Sequence, residues 1–167
     1  MIEATKTQTP DLGLTDEAMA GAVNILSTLL ADEFLLRLKL RKFHWNVTGP
    51  QFLSLHGIFE EQYTALADFI DEVAERLRTY GVMSPGTMSE FIDLARLDET
   101  PAHNPNAEGM IRELVDDHEI MVRYLRADID VADEYDDYGL EDFLTAQLQE
   151  HQEMAWMLRS FLERSNS

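Results

Sequence analysis

The 167-residue sequence has no cysteine, which excludes disulfide staples, thiolate metal sites and a cysteine nucleophile. It has no run of about 18 apolar residues, so no membrane span is expected. The first twenty residues lack the basic-then-apolar order of a secretory signal, and a cytoplasmic location follows as the expectation. Positive charge is scarce, with 13 Lys and Arg against 32 Asp and Glu and a net charge of −19. Such a surface repels phosphate backbones and anionic lipid and favours cations. Sustained period-two alternation of β-branched residues is also missing, so a sheet is not expected. What remains is a 45% hydrophobic chain, enough for one sizeable core at a length typical of one domain.

Four long stretches carry helical periodicity, with Gly and Pro confined almost entirely to the gaps between them. The first runs from Thr15, a candidate N-cap followed by Asp16 and Glu17, to about Phe43, with Ile25, Leu29, Leu36 and Leu40 on one face. The second runs from about Gln51 to Tyr80 and stops at Gly81. A third is expected from Pro105, capped by Asn104, to near Glu134, and a fourth from Leu140 to about Glu163. The first two are joined by a short turn, Asn46 to Pro50, and should pack antiparallel. The gap before the third is too long for a structureless loop, and Ser89 to Leu97 within it reads as a short extra helix. Two helix pairs joined by a long middle crossover define an all-α, ferritin-like four-helix bundle over residues 15–167, with residues 1–14 as a flexible N-terminal arm.

The densest set of potential metal ligands lies around the second helix. His44 closes the first helix; His56 and Glu60 are spaced i,i+4, and so are Asp71 and Glu75. With Leu55 at zero, the four residues of the second helix fall at about 100°, 140°, 160° and 200°, while its apolar line occupies about 0° to 60°. They form one stripe facing away from the bundle core, toward solvent or another subunit. Glu60 and Asp71 are separated by about 16 Å along the axis, too far to share one ion within a chain. A second copy of the helix, antiparallel across a two-fold axis, would bring His56 and Glu60 of one chain to Asp71 and Glu75 of the other. His44 joins the His56 side through the short turn. An imidazole and carboxylate shell suits iron or zinc. No Glu stands three residues before any histidine (those positions are Arg41, Leu53, Thr100, Val115 and Leu148), so the Glu-x-x-His pattern of a site inside one bundle is absent.

His44-Trp45-Asn46, Gly49-Pro50-Gln51-Phe52, then His56, Glu60, Asp71 and Glu75 closely resemble the Dps family of mini-ferritins. The stretches Asp71 to Leu77 and Ala155 to Arg159 resemble it too, and the likeness extends from about residue 15 to 165. The resemblance implies a hollow homododecamer that oxidises Fe(II), preferably with hydrogen peroxide and otherwise with oxygen, and stores ferric mineral, protecting against oxidative damage. Its ferroxidase ligands would be His44, His56 and Glu60 from one subunit with Asp71 and Glu75 from the two-fold partner. Many members carry Asp where this chain has Glu60. The family lines its three-fold pore with acids, a place matched by Asp142 and less securely by Asp133, and Glu61 would face the cavity and nucleate mineral.

Departures matter as well. Members that bind DNA commonly use a Lys/Arg-rich terminal arm, because phosphate neutralisation supplies that affinity. Here residues 1–20 hold Lys6 against Glu3, Asp11, Asp16 and Glu17, so no appreciable DNA binding is expected. A zinc-stabilised structural assembly without enzymatic activity and a nucleoid-compacting protein are the alternatives, the latter disfavoured by charge. His118 and His151 lie on apolar helix faces and read as hydrogen-bonded interior histidines; His103 reads as solvated, and Trp45 as interface packing. The acidic run Asp133, Glu134, Asp136, Asp137, Glu141 and Asp142 reads as a solvated face unless the pore assignment holds.

Overall fold

In the computed structural model, residues 10–162 are described and form five helices without a strand among them. These are α1 (Asp16–Asn46), α2 (Phe52–Thr79), the short α3 (Met88–Leu94), α4 (Ala107–Glu134) and α5 (Tyr138–Ser160). Thr15 caps α1 by accepting the Ala18 N–H, and Asp16 and Glu17 place negative charge on the positive end of the helix dipole. The α1–α2 turn depends on Gly49, whose φ of +109° is open to glycine and strained for other residues. Arg37 Nε on α1 donates to the Tyr63 carbonyl on α2, which fixes the antiparallel register of this pair. The second pair, α4 and α5, packs in the same way.

The middle crossover carries α3, capped by a reciprocal box in which Glu90 Oε2 accepts the Thr87 N–H and the Thr87 hydroxyl accepts the Glu90 N–H. Phe91 of α3 stacks on Phe34 of α1 with ring centroids 4.4 Å apart. Arg96 then ties the crossover to both helix pairs through Asp32 of α1 (2.8 Å) and Asp128 of α4 (2.9 Å).

The short helix α3 runs Met88–Leu94 rather than Ser89 to Leu97, and two long helices also start elsewhere than the sequence expectation. The cap of α4 is Asn106 rather than Asn104: its side chain accepts the Gly109 N–H, which leaves Pro105 outside the helix. The last helix begins at Tyr138, because Asp137 caps it by accepting the Leu140 N–H. Asp137 also accepts the Tyr80 hydroxyl at 2.6 Å and is buried, so it leaves the solvated acidic run proposed above. Burial, with the Asp137 carboxylate beside it, raises the Tyr80 pKa well above the ordinary phenol value. Residues 1–9 of the expected arm lie outside the described residues, whereas Leu14 packs against the core.

One apolar cluster fills the bundle, with Leu29 and Leu36 of α1, Phe59 and Leu66 of α2, Leu114 and Met121 of α4 and Leu144 of α5 all inaccessible to solvent. Burial of each such side chain contributes about 1.5–3 kcal/mol before entropy is counted. By length and composition α1 is apolar enough to cross a membrane, contrary to the expectation from unbroken apolar runs. Its apolar residues are instead the core of the bundle, and it carries the buried acids Asp32 and Glu33.

Candidate metal centre

His44 stands in the last turn of α1 and His56 in the second turn of α2, so the short connection brings them side by side. Each holds the other through the backbone. His44 Nδ1–H donates to the His56 carbonyl at 2.8 Å, and His56 Nδ1–H donates to the His44 carbonyl at 2.9 Å. Both Nδ1 atoms therefore carry a proton, and in the neutral tautomer Nε2 holds the lone pair that a metal ligand requires. The rings stack with centroids 3.7 Å apart and planes 20° from parallel. Tyr63 meets the edge of His44 at 5.3 Å.

Glu60 lies one turn after His56 and is exposed; its Oε1 accepts the Tyr63 hydroxyl at 3.3 Å. Asp71 and Glu75 are exposed further along the same helix. On the other side of α2, Leu55, Phe59, Leu66, Val73 and Leu77 are buried, so the polar stripe faces outward as its angles require. The structure brings His44 and His56 together, with Glu60 one turn further along α2 and Asp71 and Glu75 further still. Within one chain, no three His, Asp or Glu among the described residues are arranged to hold an ion. Near the histidines in sequence stand Trp45, 62% exposed, and Leu53, 81% exposed, two large apolar side chains open to solvent.

The remaining candidates are distributed elsewhere. Asp133 and Asp142 are both exposed, at the end of α4 and near the start of α5, and Glu61 is exposed beside Glu60. His103 is largely exposed and lies 3.5 Å from Glu113. His118 and His151 are interior and hydrogen-bonded, as their place on apolar faces suggested, and they bond to each other with Nδ1 atoms 2.9 Å apart. Burial first, and then the neighbouring His151, pushes the His118 pKa far below the usual imidazole value.

Two participants escaped the sequence reading. Tyr63, which orients Glu60, is an aromatic at core spacing and gives no separate signal. Glu33 accepts a hydrogen bond from His151 Nε2 at 2.7 Å with both side chains inaccessible. The available signal was an acidic pair, Asp32-Glu33, in the apolar middle of the first helix.

Two antiparallel helix pairs joined by a long crossover, with imidazoles and carboxylates gathered on helices, define the ferritin-like class, and the ferritin-like domain family matches residues 23–166. Within that class the chain belongs to the Dps family. It is 39% identical over 142 residues to DNA protection during starvation protein 2 of Bacillus anthracis, covering 85% of this chain and 97% of that one. It is 49% identical over 154 residues to an uncharacterised low-temperature-induced protein of Nostoc, covering 92% and 86%. The crystal structure of a Dps protein from Vibrio cholerae, a member of a broad superfamily of ferritin-like diiron-carboxylate proteins, matches with a TM-score of 0.86 at 30% identity, covering 93% and 97%.

Proposed function

We propose that this protein is a cytoplasmic mini-ferritin that oxidises Fe(II) with hydrogen peroxide, or more slowly with oxygen, and stores the ferric product inside a hollow homododecamer. The observation that carries this reading is the reciprocal bonding of His44 and His56 through Nδ1, which turns neither Nε2 to the backbone, with Glu60 one turn further along α2. Asp71 and Glu75 of a two-fold partner complete the shell, because α2 is too long for its own two pairs to meet. The exposed Trp45 and Leu53 favour a second copy covering this face. The diiron-carboxylate superfamily of the Vibrio cholerae relative supports iron as the substrate.

His44, His56 and Glu60 would hold one Fe(II) and orient it toward the partner's carboxylates. Two Fe(II) each give one electron to one peroxide, whose O–O bond breaks; its oxygens leave as water or oxide, without the hydroxyl radical of one-electron reduction. Hydrolysis of the ferric product releases protons. Asp142 and Asp133 draw cations to a pore, where a narrow acidic channel focuses the field of the −19 charge. Glu61 offers a carboxylate for nucleation of the mineral. A DNA-binding role is disfavoured by the acidic N-terminal sequence, although the Bacillus anthracis relative is named for DNA protection.

The test is anaerobic addition of Fe(II), then injection of peroxide, following ferric absorbance and peroxide consumed. The expected stoichiometry is two Fe(II) per peroxide, lost when His56→Ala and Asp71→Ala are combined. Equal behaviour of variant and wild type would leave the cluster structural, as in a zinc-stabilised assembly without enzymatic activity.

A further inference from the structure

The mechanism above leaves unused a polar cluster at the centre of the bundle. Glu33 of α1, His118 of α4 and His151 of α5 are all inaccessible to solvent and form a chain across three helices. His151 sits in the middle, with Nε2 2.7 Å from Glu33 Oε1 and Nδ1 2.9 Å from His118 Nδ1. The chain is incomplete at both ends, because Glu33 Oε2 and His118 Nε2 are buried without a partner. Two amides lie close by. Gln147 is one turn before His151 on the same face of α5, buried, with Oε1 unpartnered. Gln62 of α2 donates to the carbonyl of Met154, three residues after His151, and its Oε1 is likewise buried and unpartnered.

These unpartnered atoms share a property. Carboxylate and amide oxygens are acceptors only, and a neutral imidazole whose Nδ1–H is already donated offers a bare lone pair. A buried region rich in lone pairs, with a carboxylate at one end, is short of positive charge. Each unpaired acceptor is held there at the cost of the water it gave up. A cation corrects the deficit at several atoms at once.

We propose that the bundle interior is a second metal site, separate from the interface centre. In it, a divalent cation of the zinc and Fe(II) class takes the place of the proton between Glu33 and His151. Glu33 supplies its carboxylate, His151 supplies Nε2, and the Gln147 carbonyl is the nearest third donor by helical spacing. His118 is a positioning residue: as the ion takes Nε2 of His151, the proton between the rings passes from His118 Nδ1 to His151 Nδ1 and the displaced proton goes to the bare Nε2 of His118, whose Nδ1 then accepts the His151 Nδ1–H. The present oxygen to nitrogen separation of 2.7 Å fits a shared proton. Two ligands at about 2.0–2.1 Å around a tetrahedral ion stand roughly 3.3 Å apart, so binding needs an opening of only about 0.6 Å.

Co²⁺ and Zn²⁺ are the probes, in a background carrying His56→Ala and Asp71→Ala so that the interface centre is disabled whatever its function. The site has no opening to solvent, so the protein is refolded with the metal and then desalted. About one ion per chain is expected by elemental analysis, with the visible absorption of low-symmetry cobalt. In a zinc-loaded crystal, an anomalous peak is expected between Glu33 and His151. Adding Glu33→Gln should abolish the binding, and adding His118→Asn should weaken it about 10–100-fold, as loss of an outer partner does. A folded background protein that retains no metal, or an anomalous peak elsewhere, overturns the proposal even if neither further variant folds.

Discussion

Asp32 shows how a single buried charge holds this fold. Its carboxylate accepts the Arg96 N–H at 2.6 Å, the Leu97 N–H at 3.0 Å and the Arg96 guanidinium at 2.8 Å, and the side chain is inaccessible. Burial raises its pKa in spite of these donors, so the group is held at a desolvation cost. Removing the carboxylate leaves Arg96 with Asp128 alone and strips two backbone N–H groups of their acceptor, at a combined cost of about 3–5 kcal/mol. Asp32→Ala is therefore expected to lower stability by that amount in chemical denaturation, with the largest rise in amide exchange across 87–97. Asp32→Asn should lose less, since an amide oxygen still accepts from the two backbone N–H groups. Equal losses in the two variants would place the effect in the charge alone. The sequence did not disclose this partnership, because residues 64 apart bond through a crossover whose path no local pattern encodes. The pairing of His44 with His56 was legible for the opposite reason, since a short turn fixes their neighbourhood locally.

At the scale of the element, α3 is held by its cap as much as by Phe91. The Gly86 N–H first, then the Thr87 hydroxyl and N–H, hold the Glu90 carboxyl below its ordinary value of 4.5. A carboxylate with a depressed folded pKa stabilises fully above its unfolded value, and that contribution fades as pH falls through the folded one. Protection of the amides of 87–91 should therefore drop on acidification below about pH 4.5, beyond the intrinsic change in exchange rate. Glu90→Gln should lower protection at neutral pH and flatten this dependence. An unchanged pH profile in the variant would remove the capping box from the account. The short helix was expected because the gap is too long for a structureless loop; it starts at Met88 rather than Ser89, where the Thr87-x-x-Glu90 box sets it, and ends at Leu94 rather than Leu97. The start of α4 erred for a related reason: Asn104 and Asn106 flank Pro105, and only the Gly109 N–H decides between them.

At the scale of the whole molecule, the charge and the proposed two-fold interface make separate demands. A net charge of −19 opposes DNA, and a gel-shift series from low to ordinary salt should show no retained complex. The interface demand is sharper, because it specifies which chain supplies which ligand. His56→Ala and Asp71→Ala should each abolish rapid peroxide-dependent Fe(II) oxidation. When the two single variants are unfolded together and reassembled in equal amounts, half of the two-fold contacts join unlike chains. Every such contact contains one ruined site, lacking both His56 and Asp71, and one intact site, with His56 from one chain and Asp71 from the other. About a quarter of all sites should then be restored. Activity rising from near zero to about one quarter of wild type, only after mixing, is the expected result. A site built within one chain would leave every subunit defective and the mixture as inactive as its parents, so the mixed assembly tests the location of the centre independently of its rate.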